Sequence, residues 1–259
     1  MNILLQKIKF YWGKLKYILR ETRLYWAGVI YWSIYRIFEK PLTDSDTRNI
    51  PIIINCFNRL NCLEILINRL TQDGYTNIHL LDNNSTYPPL LEYYKHTPYP
   101  VYRLDRNIGF LALWNCEVWN KFKNKYYVYT DPDVVPADGC PDDYLHKFYL
   151  HLRKNPQLDK VGFSLQIDNL PDHYDKKEAV LKIESPFWKK PINPELYNAS
   201  IDTTFALYRP GIKGGFWLRA GRTAPPYSAL HLPWYQNSQQ PDEETLYYRS
   251  LYVYSQNWS

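Results

Sequence analysis

The sequence predicts an α/β fold, a mixed sheet flanked by helices and preceded by an amphipathic helical arm. Three observations carry this reading. Between residues 50 and 135, short β-branched or aromatic runs alternate with stretches of helical periodicity, the pattern of βαβ units. Each run breaks off in polar, chemically useful residues, at the strand ends where open α/β sheets bind ligands. The 259 residues are 45% hydrophobic and 22% charged, enough for a large core and too apolar for a disordered chain.

Residues 1–40 form the arm. On a helix, Leu4, Ile8, Trp12, Leu15 and Leu19 fall on one stripe, with Lys9, Lys16 and Arg20 on one flank and Lys7 and Lys14 on the other. Eight basic side chains stand against two acidic ones in this segment, and the rest of the chain is nearly neutral. The longest uncharged stretch, Leu24–Tyr35, is 12 residues, short of the roughly 20 that a span requires. No cleavable secretory pattern is present, because Lys14 and Lys16 interrupt the apolar block. Flanking cations with Trp and Tyr at the boundary suit a helix lying in a headgroup layer, and packing on protein is the alternative. The expected location is the cytoplasmic face of the inner membrane, with the arm in peripheral contact.

Residues 41–49 are polar, with Pro and Asp punctuation, and read as a linker whose Asp44-Ser45-Asp46 acids are solvated. The pattern then predicts strands over Ile50–Cys56, Asn77–Leu81, Val101–Leu104 and Tyr126–Tyr129. Helices are expected over Leu60–Leu70, Leu90–His96 and Ile108–Lys121. Mostly parallel pairing with both faces covered follows from that alternation. Past residue 135 a helix is expected over Asp142–Asn155 and strands over Val161–Ile167 and Thr203–Tyr208. An irregular Pro-rich stretch runs through Asn198, and Gly-rich and Pro-rich segments close the chain. The 19 prolines suggest long shaped loops over a site. Four cysteines without a Cys-x-x-Cys pair read as reduced, mostly buried thiols.

Asp131-Pro132-Asp133 follows the fourth strand. Two carboxylates at that spacing can converge on one divalent cation, and hard oxygens favour Mg²⁺ or Mn²⁺. His231, in Ala229-Leu230-His231-Leu232-Pro233-Trp234-Tyr235, lies in a rigid, aromatic loop that could bring an imidazole to the same ion and tilt it toward Mn²⁺.

The ordered motifs Pro51–Arg59, Leu81–Ser85, Arg106–Gly109 and Thr130–Val134 resemble those of GT-A fold nucleotide-diphospho-sugar glycosyltransferases, bacterial and family-two-like. The segments Ile201–Tyr208 and His231–Tyr235 extend the likeness. The resemblance implies a nucleotide-binding half over 50–135 and an acceptor-binding half over 136–259. It implies that Asn58 and Arg59 sit at the base and diphosphate, Asp82 at the uracil or ribose, and Asn107 and Gly109 along the nucleotide pocket. Asp131 and Asp133 would hold metal and ribose, Asp133 directly and Asp131 in support, with His231 a further ligand of Mn²⁺ (or Mg²⁺). Asp202 would contact the acceptor hydroxyl, as a general base. Trp188, Trp217, Trp234 and Tyr235 could stack on sugar faces. Two departures stand out: the acidic cluster Asp242-Glu243-Glu244 follows the His231 segment, and no Gln-x-x-Arg-Trp signature of processive synthases is present.

The implied activity is non-processive hexosyl transfer from a nucleotide-diphosphate donor, UDP-linked, to a saccharide or lipid-linked acceptor in lipopolysaccharide, capsule or other surface-glycan assembly. A sugar nucleotidyltransferase would need a Gly-rich loop where Cys56-Phe57-Asn58-Arg59 stands. A membrane-tethered carbohydrate-binding scaffold without turnover is the rival from another class. Nucleic acid is not an expected partner, because the body is nearly neutral and the basic arm is aliphatic and aromatic.

Overall fold

The structure is a computed structural model, described for residues 22, 23, 25–215 and 218–251. The described chain forms two compact units. One comprises the residues up to Pro41 with Arg153–Gln157, the other Leu42–Leu152 with the residues from Leu158 onward. In the first unit helix α1 (25–38) ends beside Arg153: Arg36 Nη1 donates to the Arg153 carbonyl at 3.2 Å, and Arg153 Nη1 pairs with Glu39 Oε2 at 3.1 Å. The stripe from Leu4 to Leu19 lies outside the described residues. Among the described residues no helix is long and apolar enough to cross a membrane.

The second unit opens with α2 (Asp44–Arg48), where only a linker was expected. Thr43 and Asp46 form a reciprocal capping box, Asp46 N to Thr43 Oγ1 at 3.2 Å and Thr43 N to Asp46 Oδ2 at 2.8 Å. Asp44 pairs with Arg48 at 2.9 Å. The linker acids are thus a helix start rather than free solvated charges.

A ten-stranded mixed sheet follows. Its first half is β1 (Ile52–Cys56), β2 (Ile78–Asp82), β3 (Val101–Arg103) and β4 (Tyr127–Thr130), paired in parallel in the order β3-β2-β1-β4. Helices α3 (Asn61–Gln72) and α4 (Pro88–His96) make the crossovers. In α3, Leu63, Leu66, Ile67 and Leu70 recur at i, i+3, i+4 and i+7 and are buried. Alternation within the strands fills two cores: Ile52, Ile54 and Val128 join α3 on one face, while Ile53, Tyr127 and Tyr129 pack on the other.

The helix expected over Ile108–Lys121 is instead a 3-10 turn (Ala112–Asn115) and a short α5 (Trp119–Phe122), separated at Cys116 in extended backbone. Trp114 and Trp119 enter the second core there, which a continuous helix would not allow both to do on the same terms. This core explains much of the aromatic excess. Tyr127 stacks on Tyr208 at 5.0 Å, Trp114 Nε1 donates to the Tyr127 hydroxyl at 2.9 Å, and the Tyr129 hydroxyl donates to the Phe110 carbonyl at 2.8 Å. The rings supply buried area and each polar tip finds a partner.

The second half of the sheet is largely antiparallel, so mostly parallel pairing holds only for the first half. β5 (Val134–Pro136), α6 (Tyr144–Lys154) and β6 (Lys160–Leu165) come first. The stretch expected to be irregular contains α7 (Lys177–Glu184) and a hairpin of β7 (Pro191–Asn193) and β8 (Leu196–Asn198). β9 (Ala206–Tyr208) sits antiparallel between β4 and β6. The Pro-rich tail yields the longest strand, β10 (Ala220–His231), which pairs with β6, β8 and β5. Its register shifts between Thr223 and Ser228, where Pro225 and Pro226 cannot donate to a ladder and the interruption absorbs them. α8 (Glu243–Ser250) closes the described chain.

Candidate functional site

The carboxyl end of β4 and the end of β10 meet through β5. That three-residue strand pairs antiparallel with β10, His231 opposite Val134, and the ladder continues with Leu232 N donating to the Asp133 carbonyl at 2.8 Å. His231 is thereby fixed beside the acidic pair although 98 positions separate it from Asp133 in the chain. Its Nε2 lies 3.8 Å from Asp133 Oδ2. The Trp234 ring packs on the imidazole, centroids 4.7 Å apart, and holds its plane.

Asp131 occupies a different environment from Asp133. Its Oδ2 accepts from the Thr203 hydroxyl at 2.5 Å, and Asn55 donates to the same carboxyl. Burial pushes Asp131 well above the usual carboxylate range, the Asp133 charge adds to this and Asp202 contributes further, while the Thr203 and Asn55 hydrogen bonds oppose it. Part of its surface still meets solvent.

Among the described residues no three His, Cys, Asp or Glu side chains form a ready metal cage. Asp131 is hydrogen-bonded to Thr203, and the carboxylate beside His231 is that of Asp133. Two buried atoms of this pair, Asp133 Oδ1 and His231 Nδ1, have no hydrogen-bond partner. A carboxylate and an imidazole left with spare capacity fit a divalent cation whose remaining positions are taken by phosphate and water, the habit of Mg²⁺ and Mn²⁺.

The residues expected at the nucleotide divide into buried organisers and exposed loop residues. Asn58, at φ 51° and fully buried, donates its backbone N–H to Ser85 Oγ at 3.0 Å and accepts on its side-chain Oδ1 from Thr86 N and Tyr87 N at 2.7 and 2.8 Å. It staples the turn after β1 to the start of α4. Asp82 is also fully buried, accepting from Ser85 N at 3.2 Å, Tyr94 OH at 3.2 Å and Arg103 Nε at 3.0 Å. Neither side chain has accessible surface in this structure, and both organise the turns around them. Arg59 is buried with its guanidinium 4.1 Å over the Tyr248 ring, and one nitrogen, Nη1, lacks a partner. Asn107 and Gly109 are exposed, on a loop clamped by Asn83, whose Oδ1 accepts from Ile108 N at 2.8 Å and whose Nδ2 donates to the Gly109 carbonyl at 2.9 Å. Gly109 sits at φ 83°, a conformation that favours glycine.

Asp202 is exposed, ahead of β9 and next to Thr203. Its carbonyl accepts from Lys160 Nζ at 2.9 Å, and Lys160 also donates to the Tyr208 hydroxyl at 3.0 Å. This buried lysine is pulled down to about 7, by burial first of all. Sequence reasoning missed it, together with Thr203 and Asn55 as partners of Asp131. Asn55, a polar residue inside the Ile-Ile-Ile-Asn-Cys run, carried a visible signal. Glu244 accepts from the Leu60 and Asn61 amides at 2.6 and 2.8 Å, so it caps α3 from 183 residues away. Trp234 is buried and serves His231 rather than an open sugar face. Tyr235 donates to Asn169 Oδ1 at 2.7 Å, Trp188 is half-buried, and Trp217 lies outside the described residues.

No protein-family model matches the chain, and no curated protein matches it in sequence. Its structure is similar to several solved ones. Residues 1–349 of TarS from S. aureus align at 13% identity over 71% of this chain and 60% of that one, TM-score 0.41. Glucosyl-3-phosphoglycerate synthase from Mycobacterium tuberculosis aligns at 12% identity over 66% and 62%, TM-score 0.41. GalNAc-T7, solved with UDP, GalNAc and Mn²⁺, aligns at 14% identity over 81% and 48%, TM-score 0.45. The chain thus spans about 60% of the first of these and less than half of the last. Such neighbours are GT-A glycosyltransferases, the class whose motifs the sequence resembles.

Proposed function

We propose that the chain is a metal-dependent glycosyltransferase that moves a sugar from a nucleotide-diphosphate donor, UDP-linked, to a saccharide or lipid-linked acceptor in surface-glycan assembly. The observation that carries this is the Asp133–His231 pair at the carboxyl end of the sheet, each with one buried atom lacking a partner. In this reading Asp133 and His231 would hold Mn²⁺ or Mg²⁺, which would supply positive charge against a leaving diphosphate. Asp131, braced by Thr203 and Asn55, orients the approach of the donor ribose. The exposed Asn107–Gly109 loop lines the nucleotide pocket, and Asn58, Asp82 and Asn83 keep the neighbouring turns rigid. Asp202, exposed beside Thr203, meets the acceptor hydroxyl and accepts its proton.

One observation favours the rival reading of a carbohydrate-binding scaffold without turnover: Asp82 is fully buried and taken up by Ser85, Tyr94 and Arg103. Donor turnover separates the two. Purified chain incubated with UDP-, GDP- and CMP-linked sugars plus Mn²⁺ is expected to release nucleotide from one donor, and Asp133→Ala is expected to abolish release. Sugar binding with no nucleotide released from any donor, with Mn²⁺ or with Mg²⁺ in its place, would support the scaffold.

A further inference from the structure

The outward face of α1 is apolar over its whole length. Trp26, Ile30, Tyr31, Ile34, Ile37 and Phe38 are each between 50% and 83% exposed. At about 100° per residue they fall within roughly 140° of arc, one continuous face. The opposite side carries Trp32, only 6% exposed, and Arg36, which reaches the Arg153 carbonyl. Half of the exposed large hydrophobic side chains among the described residues lie in these 13 positions, and the others are scattered singly over the second unit. Scattered apolar residues need no explanation, whereas a contiguous face marks a contact surface.

Charge selects the partner. Residues 1–40 hold eight basic and two acidic side chains, and of those two Glu39 is paired with Arg153. The described residues of α1 contain no acid. Among the described residues no helix is long and apolar enough to cross a membrane. Aromatic residues with aliphatic ones, no acid among them, and Arg23 and Lys40 flanking the helix in sequence suit the boundary between headgroups and acyl chains of an anionic bilayer. We propose that this face of α1 seats on an anionic lipid surface, lying in its plane. The proposal does not depend on the glycosyltransferase reading, and it assigns the contact to α1 itself rather than to the basic stripe from Leu4 to Leu19.

Vesicle sedimentation of the full chain tests it, using phosphatidylcholine vesicles with and without about 30 mol% phosphatidylglycerol. The wild-type chain is expected to bind the anionic vesicles at least about tenfold more tightly than the neutral ones. Ile30→Glu with Ile37→Glu, both at exposed positions, is expected to lose at least about tenfold of that affinity while unfolding at the wild-type temperature. Equal binding by the double variant would overturn the proposal, because residues 1–21 would then suffice. So would absence of vesicle binding together with a dimer, seen by light scattering, that the double variant dissolves.

Discussion

Leu232 N donates to the Asp133 carbonyl at 2.8 Å, and directly beyond that rung His231 Nε2 lies 3.8 Å from Asp133 Oδ2. A backbone ladder, not a flexible loop, therefore sets the separation of the two side chains. Paired side chains fixed this way should act as a unit. Asp133→Ala and His231→Ala are each expected to weaken Mn²⁺ binding by about 10–100-fold. The double variant should be little worse than either single one, as read by electron paramagnetic resonance of free Mn²⁺. Additive losses would mean that the two residues serve separate sites.

Asp131 is held at a cost to the fold. Its carboxyl is raised by burial and by the neighbouring Asp133, so the folded chain resists its ionisation and stability falls as pH climbs above the ordinary carboxylate range. Asp131→Asn keeps an acceptor for the Thr203 hydroxyl and removes the charge. The variant is expected to be more stable at pH 7.5 by about 1–2 kcal/mol, with the gain shrinking toward pH 4, and to bind UDP less tightly. Thermal melts across pH check the first part and calorimetry the second.

Lys160 gives the opposite pH slope. Between about 7 and its ordinary value of 10.5 the folded chain holds the amine neutral while the unfolded chain still binds the proton. Unfolding then takes up a proton, and stability rises with pH by up to about 1.4 kcal/mol per unit. Lys160→Met removes this slope. Urea denaturation of both chains from pH 7 to 9.5 should show the wild type gaining on the variant, and a constant difference would contradict the assignment.

Arg222 Nη1 pairs with Glu184 Oε2 at 2.6 Å, both buried, and the guanidinium lies 4.3 Å over the Phe187 ring. This tie fastens α7 to β10. Glu184→Ala leaves a buried cation without its partner and should destabilise the chain by about 3–5 kcal/mol. Glu184→Gln, which keeps shape and an acceptor, should cost less. Denaturant midpoints with unchanged slope provide the measurement.

The first half of the sheet was legible because its strands are continuous apolar runs ending in polar turns, and its four strands and the crossovers α3 and α4 lie within a few residues of their expected places, whereas the connection from β3 to β4 does not. The second half was not. Prolines at 225 and 226 suggested a loop, yet a shift of register lets β10 pass them, so tertiary pairing overrode local propensity. At Cys116 burial of Trp114 and Trp119 broke an expected helix. The site was legible as a set of residue types: Asp133 and His231 were marked by chemistry, and Asp202 by its place before a strand. Which of them meet depended on β5, three residues that carry no periodicity of their own. Asn58 and Asp82 were recognisable as strand-end residues, but only the three-dimensional contacts reveal that they face inward.

Asp133 and His231 are proposed to form a metal–nucleotide centre, and calorimetric titration of UDP with and without Mn²⁺ measures this at the site itself. UDP binding is expected to require Mn²⁺ and to disappear in Asp133→Ala. UDP binding of equal strength without metal, or unchanged in Asp133→Ala, would contradict it.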